Sequence, residues 1–210
     1  MEVLFQDDDI IVCIKPVGVL SQTDSNGGQS MITLLQEITG GTVYPLHRLD
    51  REVGGVMVYA KNKFSASELS KDIAGQKFKK EYIALVHGIP ETQKGQMTDL
   101  LFKDSKKNKS YVVSRKRQGV KEASLEYEVL NSKNGLSAVL VLLHTGRTHQ
   151  IRVQFASRKM PLTADRKYGA KDEFKNIGLW SYRITFTHPK TKEALTFSRL
   201  PENDIKDYLN

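Results

Sequence analysis

An α+β domain with a largely antiparallel sheet is predicted by three features of the chain. Strand-like runs follow one another as hairpins more often than through helices. A favoured two-residue turn, Asn134-Gly135, separates an alternating run from an apolar one. Helical signals, each with a capping residue before it, are few and short.

Taken in order, Val3 to Gln6 followed by Asp7, Asp8 and Asp9 reads as an opening strand and turn. Ile10 to Ile14 is an apolar strand that ends at Lys15-Pro16. Ser30 is placed to cap a helix with Ile32, Leu35 and Ile38 on one side, and Gly40-Gly41 stops it. Gly55 to Lys61 reads as a strand entering a core. Asn62 precedes and Gly75 follows a second helix, from about Phe64 to Ala74. Tyr82 to Val86 is a strand, and Leu125 to Val129 alternates apolar and acidic residues as a half-buried strand does. Ala138 to Leu143 is apolar throughout, hence central. Thr148 is expected to cap a helix through about Arg158, with Ile151, Phe155 and Ala156 facing the core. Ile184 to His188, a Pro189-Lys190 turn and Leu195 to Phe197 form another hairpin. Pro201 opens a short terminal helix containing Ile205 and Leu209.

No repeat, low-complexity tract or Pro/Gly/Ser-rich linker divides the 210 residues, so a single domain spanning 1–210 is expected. The 39% hydrophobic and 27% charged fractions are those of a soluble globular protein. The longest apolar run, Ala138 to Leu143, is far short of the roughly 18 residues a membrane helix needs. Glu2 and Asp7 to Asp9 stand where a secretory signal requires basic residues, and the lone Cys13 cannot form an internal disulfide. A cytoplasmic, monomeric protein is expected. Its net charge of +8 is concentrated from Lys103 to Lys121, where eight basic residues face one acid, Asp104. Such a stretch suits a surface that meets a polyanion, and equally a solvated lysine-rich loop.

The segment LHRLDREVGG, Leu46 to Gly55, sets the carboxylate of Asp50 two residues after Arg48 and directly before a buried strand. An acid held beside a guanidinium there stays ionised and poorly hydrated, as a carboxylate nucleophile must. On these ten residues alone, a loop aspartate that caps a turn or meets an arginine at the surface fits as well. His47, His144 and His149 show no zinc spacing, so no metal is expected. The glycine pairs Gly27-Gly28, Gly40-Gly41 and Gly54-Gly55 lack a phosphate-loop pattern and read as turns.

Four further motifs join HRLD: KPVGV (Lys15 to Val19), KKEYIALVHG (Lys79 to Gly88), LHTGRTHQIRVQ (Leu143 to Gln154) and PLTADRKYG (Pro161 to Gly169). In order and wording they resemble the RluA-type family of RNA pseudouridine synthases, over roughly Asp8 to Leu200. The resemblance implies the pseudouridine synthase fold and an isomerase acting on tRNA or ribosomal RNA. Such an enzyme detaches uracil at its N1–C1′ bond, turns the base and rejoins it through C5. It further implies that Asp50 is the nucleophile, that Tyr82 packs on the target base, and that Arg152 pairs with the aspartate. Arg48 would help occupy the space left by the extruded nucleotide. His47, Arg147, His149 and Gln150 lie within the matched motifs and are the remaining candidates for substrate binding.

Elementary chemistry agrees with these roles. Isomerising uridine is redox-neutral and consumes no water, so no cofactor is expected. Extruding a base costs a few kcal/mol, and stacking it on an aromatic returns about 1 to 3 kcal/mol. Each residue has a plainer reading as well, with Tyr82 a core aromatic and Arg147, His149 and Gln150 a solvated first helical turn. The chain departs from the family pattern at Val53-Gly54-Gly55, where Thr-Ser-Gly is frequent, and at Ala164 and Lys159, where glycine is common. Gln154 stands where histidine often does. No S4-type RNA-binding extension precedes the motifs, so RNA binding is expected to rest on the catalytic domain, with the basic segment as first candidate. Two rivals remain: a non-catalytic RNA-binding or ribosome-assembly protein of the same fold, and an Asp-dependent glycosidic hydrolase with Asp165 as second carboxylate.

Overall fold

Eleven strands and three α-helices are built by the residues that the computed structural model describes, 1–23 and 28–209; Gly27 of the first glycine pair lies outside them. In chain order they are β1 (Glu2–Gln6), β2 (Ile10–Lys15), α1 (Met31–Thr39), β3 (Tyr44–Pro45), β4 (Gly54–Ala60) and α2 (Lys63–Ala74). Then come β5 (Lys79–His87), β6 (Lys94–Asp104), β7 (Lys109–Val113), β8 (Val120–Lys133) and β9 (Leu136–Leu143). α3 (Gln150–Ser157), β10 (Leu179–Thr187) and β11 (Ala194–Ser198) complete the set, with 3₁₀ turns at Arg166–Tyr168 and Asp204–Tyr208. The chain divides into two compact units, Met1–Lys80 with Trp180–Leu200, and Glu81–Leu179 with Pro201–Asn210.

In the first unit β2 pairs antiparallel with β1 and β4, and β10 pairs antiparallel with β11. The pairing of β4 with β10 is parallel, with Trp180 opposite Gly54 and Ser181 opposite Gly55. Every residue of β4 is buried, as a run without polar alternation requires. Ile10, Val12, Val56, Val58, Ile184 and Phe186 from the strands pack with Leu69 of α2 and with Phe78. The Phe78 and Phe186 rings stack at 5.3 Å. α1 and α2 begin where their caps predict: the Ser30 hydroxyl accepts from Thr33 N–H at 3.3 Å and the Asn62 side chain from Ser65 N–H at 2.8 Å. The buried side of α1 is Met31 and Leu35 rather than Ile32 and Ile38, and Ile38 is exposed. The β10–β11 turn is also longer than Pro189-Lys190, because Thr187 pairs with Ala194.

The second unit orders its strands β5-β9-β8-β6-β7, every pair antiparallel. β9 lies between β5 and β8, which is why its stretch Ala138 to Leu143 is apolar throughout. Lys133 pairs with Leu136 across a two-residue turn in which Asn134 (φ 55°) and Gly135 (φ 73°) are both left-handed, the conformation that matches strand twist. Two expectations need correction here. Thr148 does not cap α3: the helix starts at Gln150, after His149 in a left-handed conformation (φ 53°) with no side-chain cap. Nor is α3 amphipathic, since Gln150 through Phe155 are all buried. The basic segment also holds strand structure that its composition hides, the end of β6, all of β7 and the start of β8.

Candidate active site

The loop that carries Asp50 is gripped on both sides of the carboxylate. On the near side, the Ser21 hydroxyl accepts from Leu49 N–H at 2.9 Å and donates to Leu49 C=O at 2.8 Å. The Ser21 carbonyl in turn accepts from the hydroxyl of fully buried Tyr59 at 2.9 Å. On the far side, the Arg51 carbonyl accepts from Gly18 N–H at 2.8 Å and from the Lys15 ammonium at 3.2 Å, and Arg51 Nε donates back to the Gly18 carbonyl at 2.9 Å. Lys15 has no exposed surface, and its two other hydrogen bonds go to the carbonyls of Pro16 (2.9 Å) and Val19 (2.6 Å). Three acceptors satisfy the three donors of an ammonium, which is how a buried lysine keeps its charge. Burial pulls its pKa down to about 8, with the nearby charges of Glu52 and Asp50 acting the other way.

Asp50 itself is half-buried, and its carbonyl accepts from Val53 N–H at 3.0 Å, closing the turn into β4. Arg48 is exposed. His47 faces inward: its Nε2 accepts from Val58 N–H at 3.4 Å and its ring lies 5.6 Å from that of Phe78. Burial, aided by the Lys80 charge, lowers its pKa to about 3, so the ring is neutral. With Nε2 accepting, Nδ1 carries the proton, and it is buried without a hydrogen-bond partner.

The other expected groups lie in the second unit. Tyr82 is buried on β5, opposite Val141 of β9. On α3, Arg152 donates from Nε and Nη2 to the Asp165 carboxylate at 2.7 and 2.9 Å, and both side chains are almost wholly buried. The guanidinium also lies over the Tyr168 ring at 5.3 Å. Tyr168 reaches His149 Nδ1 through its hydroxyl (3.0 Å) and meets the His149 ring edge-to-face. Gln150 is spent on the loop before it: Oε1 accepts from the Thr145 hydroxyl and Arg147 N–H, and Nε2 donates to the Ser124 carbonyl. Arg147 is exposed and donates from Nε to the Glu122 carbonyl at 2.9 Å. Asp172 supports the Asp165 loop by accepting from Ala164 N–H and Phe174 N–H and by pairing with His87 Nε2 at 2.6 Å. Burial raises the Asp172 pKa, but those hydrogen bonds and the His87 charge outweigh it, and the net direction is down.

The first unit thus holds a doubly clamped aspartate loop, and the second holds a tyrosine on a buried strand and a buried arginine bound to a carboxylate. A family model described as RNA pseudouridylate synthase matches residues 9–157. The chain belongs to that family, the RluA-type pseudouridine synthases, which convert uridine to pseudouridine in RNA. It is similar to an RNA pseudouridine synthase of Aquifex aeolicus, 34% identical over 218 residues, covering 94% of this chain and 68% of the relative. It is also similar to the ribosomal large subunit pseudouridine synthase C of Buchnera aphidicola, 28% identical over 219 residues, covering 99% and 69%. Among solved structures, human RNA pseudouridylate synthase domain containing 4 has the same fold, with a TM-score of 0.79, 22% identity and coverage of 96% and 89%.

Four supporting residues escape a reading of the sequence alone. Lys15 stands in KPVGV, yet nothing in that motif gives it a role, because a lysine is by default an exposed residue. Ser21 and Tyr59 carry no motif at all. Tyr168 is legible only as part of PLTADRKYG, and nothing in that spacing announces its contacts to α3 and β7.

Proposed function

We propose that this chain isomerises particular uridines of folded tRNA or ribosomal RNA, with Asp50 as the nucleophile, Tyr82 as the ring that receives the extruded base and Arg152 as the arginine serving the nucleophile. The observation that carries this reading is the double clamp on the Asp50 loop, Ser21 at Leu49 and Lys15 with Gly18 at Arg51. A nucleophile that must form and break a covalent bond gains from a backbone already fixed in place, and a turn-capping aspartate needs no such support. Arg48 and Arg147, both exposed, can approach RNA phosphates, Arg147 with its Nε already held by the Glu122 carbonyl, whereas the inward placement of His47 and Gln150 suits them to holding their loops. Three Buchnera relatives are named ribosomal large subunit pseudouridine synthase C, which favours ribosomal RNA over tRNA. We place the reaction in the cytoplasm, catalysed by a monomeric single domain without a cofactor.

Neither rival gains from the geometry. A hydrolase would need Asp165 as a proton donor, and that carboxylate already accepts two hydrogen bonds from Arg152. A purely RNA-binding protein has no use for a fixed carboxylate loop. The test is release of tritium from RNA carrying 5-tritiated uridine, since C5 loses its hydrogen when it joins C1′. Asp50→Asn is expected to abolish release while RNA binding persists. Full activity in that variant would remove Asp50 from the mechanism, and free uracil among the products would point to hydrolysis instead.

A further inference from the structure

The basic hairpin presents a face that the isomerisation chemistry does not use. Cross-strand register puts Leu100 opposite Val113 and Phe102 opposite both Tyr111 and Val120, so these five side chains share one side of β6, β7 and β8. All five are half-buried. On the opposite side, Leu101 and Val112 pack with Ala123 and with Val153 of α3. A hairpin with one face in the core normally turns polar residues outward. This one turns out two aromatics and three aliphatics, with the exposed acid Glu122 opposite Leu100 at one edge, and sets cations over the two rings. Arg117 lies over the Phe102 ring at 4.9 Å and Lys109 over the Tyr111 ring at 5.7 Å. Lys106 and Lys107 in the β6–β7 turn, and Arg115 and Lys116 in the β7–β8 connection, are exposed at the ends of this face.

We propose that this face is a docking surface for an unpaired stretch of RNA, whose bases stack on Phe102 and Tyr111 while the surrounding lysines and arginines take the phosphates; the proposal rests on the reading of the chain as an RNA-uridine isomerase. Charge selects the partner, because a surface with so few acids attracts a polyanion and repels a basic one. The aromatic pair selects its strandedness, because a paired base offers no free face to an aromatic ring whereas an unpaired one does. The hairpin is anchored to the rest of its unit, as a docking arm must be. Ser110 N–H donates to the Tyr168 hydroxyl at 2.9 Å, and the Ser110 hydroxyl donates to the Thr148 carbonyl at 2.6 Å. Lys109 donates to the Lys167 carbonyl and Lys167 to the Asn108 carbonyl. Tyr168 thus touches both the arm and Arg152, so the arm is anchored by the same side chain that packs on the proposed catalytic arginine.

The test measures binding of a uridine-rich single-stranded RNA, of the same strand annealed to its complement, and of polyglutamate, each over a series of salt concentrations. Three full-length proteins are compared: wild type, Arg115→Glu with Lys116→Glu, and Phe102→Leu with Tyr111→Leu. The charge-reversal positions are exposed, so that variant is expected to keep the wild-type urea midpoint while its affinity drops roughly tenfold or more. Its salt slope should flatten by about 0.7 for each phosphate that is no longer neutralised. The aromatic variant keeps an apolar face and is expected to lose about tenfold on the single strand and little on the duplex. Wild-type affinity and salt slope in the charge-reversal variant would overturn the proposal, as would polyglutamate binding as tight as RNA. Equal losses on single strand and duplex in the aromatic variant would overturn it too. Tritium release by the wild type keeps this outcome apart from the catalytic reading. An active enzyme with silent arm variants sinks the arm alone, and an inactive enzyme that binds RNA through the arm sinks the isomerase reading alone.

Discussion

Arg152 and Asp165 form a two-point ion pair, with Nε and Nη2 at 2.7 and 2.9 Å from the carboxylate and almost no water contact for either partner. Breaking one side of such a pair strands a buried charge. Asp165→Leu is therefore expected to destabilise the protein by about 3–5 kcal/mol, and Arg152→Met by a similar amount. Combined with Asp165→Leu, Arg152→Met should cost much less than the sum of the two single changes, because neither member of this pair is left buried opposite a missing partner. Urea denaturation of wild type, the single variants and the double variant gives the coupling energy directly. Additive losses would mean that the pair acts as two independent hydrophilic groups.

Lys15 predicts a split between stability and activity in alkaline buffer. Its folded pKa is about 8 against an ordinary 10.5, so between those values the unfolded chain binds more protons and the Lys15 contribution to stability rises with pH. Over the same window the ammonium loses a donor from the Pro16, Val19 and Arg51 carbonyls, together with the positive charge near Asp50. The expected result is that kcat/KM falls above pH 8 while the part of the urea midpoint owed to Lys15 does not. In Lys15→Arg, whose guanidinium stays protonated, that alkaline limb should move out of range. A limb that stays near pH 8 in this variant belongs to another group.

At Gly54 and Gly55 the parallel strands meet too closely for a side chain. A Cβ on Gly54 would stand 2.5 Å from the Trp180 ring, and one on Gly55 (φ 122°) would stand 2.3 Å from the Ser181 carbonyl oxygen. Gly55→Ala is expected to cost more than about 3 kcal/mol, because both the clash and the backbone conformation are unfavourable. Gly54→Ala should cost less, since the Trp180 ring can shift. Thermal unfolding midpoints order the two, and equal, small losses would show that β4 and β10 separate easily.

Two departures from the family pattern fall on left-handed residues, Lys159 (φ 63°) and Ala164 (φ 56°). A side chain there costs about 1–2 kcal/mol, part of which a glycine would give back as greater freedom of the unfolded chain. Lys159→Gly and Ala164→Gly are each expected to stabilise the fold by up to about 1 kcal/mol, and the two together nearly additively. Calorimetry that found either neutral or harmful would mean that its side chain makes a compensating contact.

Patterning makes the strands around the core legible: β2, β4 and β9 are apolar runs, and Ser30, Asn62 and Asn134-Gly135 announce their caps and turn. β6 and β7 are not legible, because the lysine-rich turn between them and the polar residues of β6 mask their short apolar stretches, and it is the register of β6 with β7 and β8 that makes them strands. The start of α3 is hidden for a related reason. Thr148 is a good capping residue, but its carbonyl is taken by the Ser110 hydroxyl of β7, and the helix begins two residues later. At the proposed site, the motifs single out Asp50, Tyr82 and Arg152 as candidates. They do not reveal what holds them: a fully buried Lys15 and an Arg152 paired with Asp165 are relations across 36 and 13 residues of chain.

The tight turn at Asn134-Gly135 sets the order in which the second unit assembles. Closing a two-residue loop costs less chain entropy than any longer connection, and β8 and β9 can zip from it within microseconds. That hairpin is then the template on which β5 and β6 must find their register, so the rate of self-assembly is sensitive to two exposed turn residues.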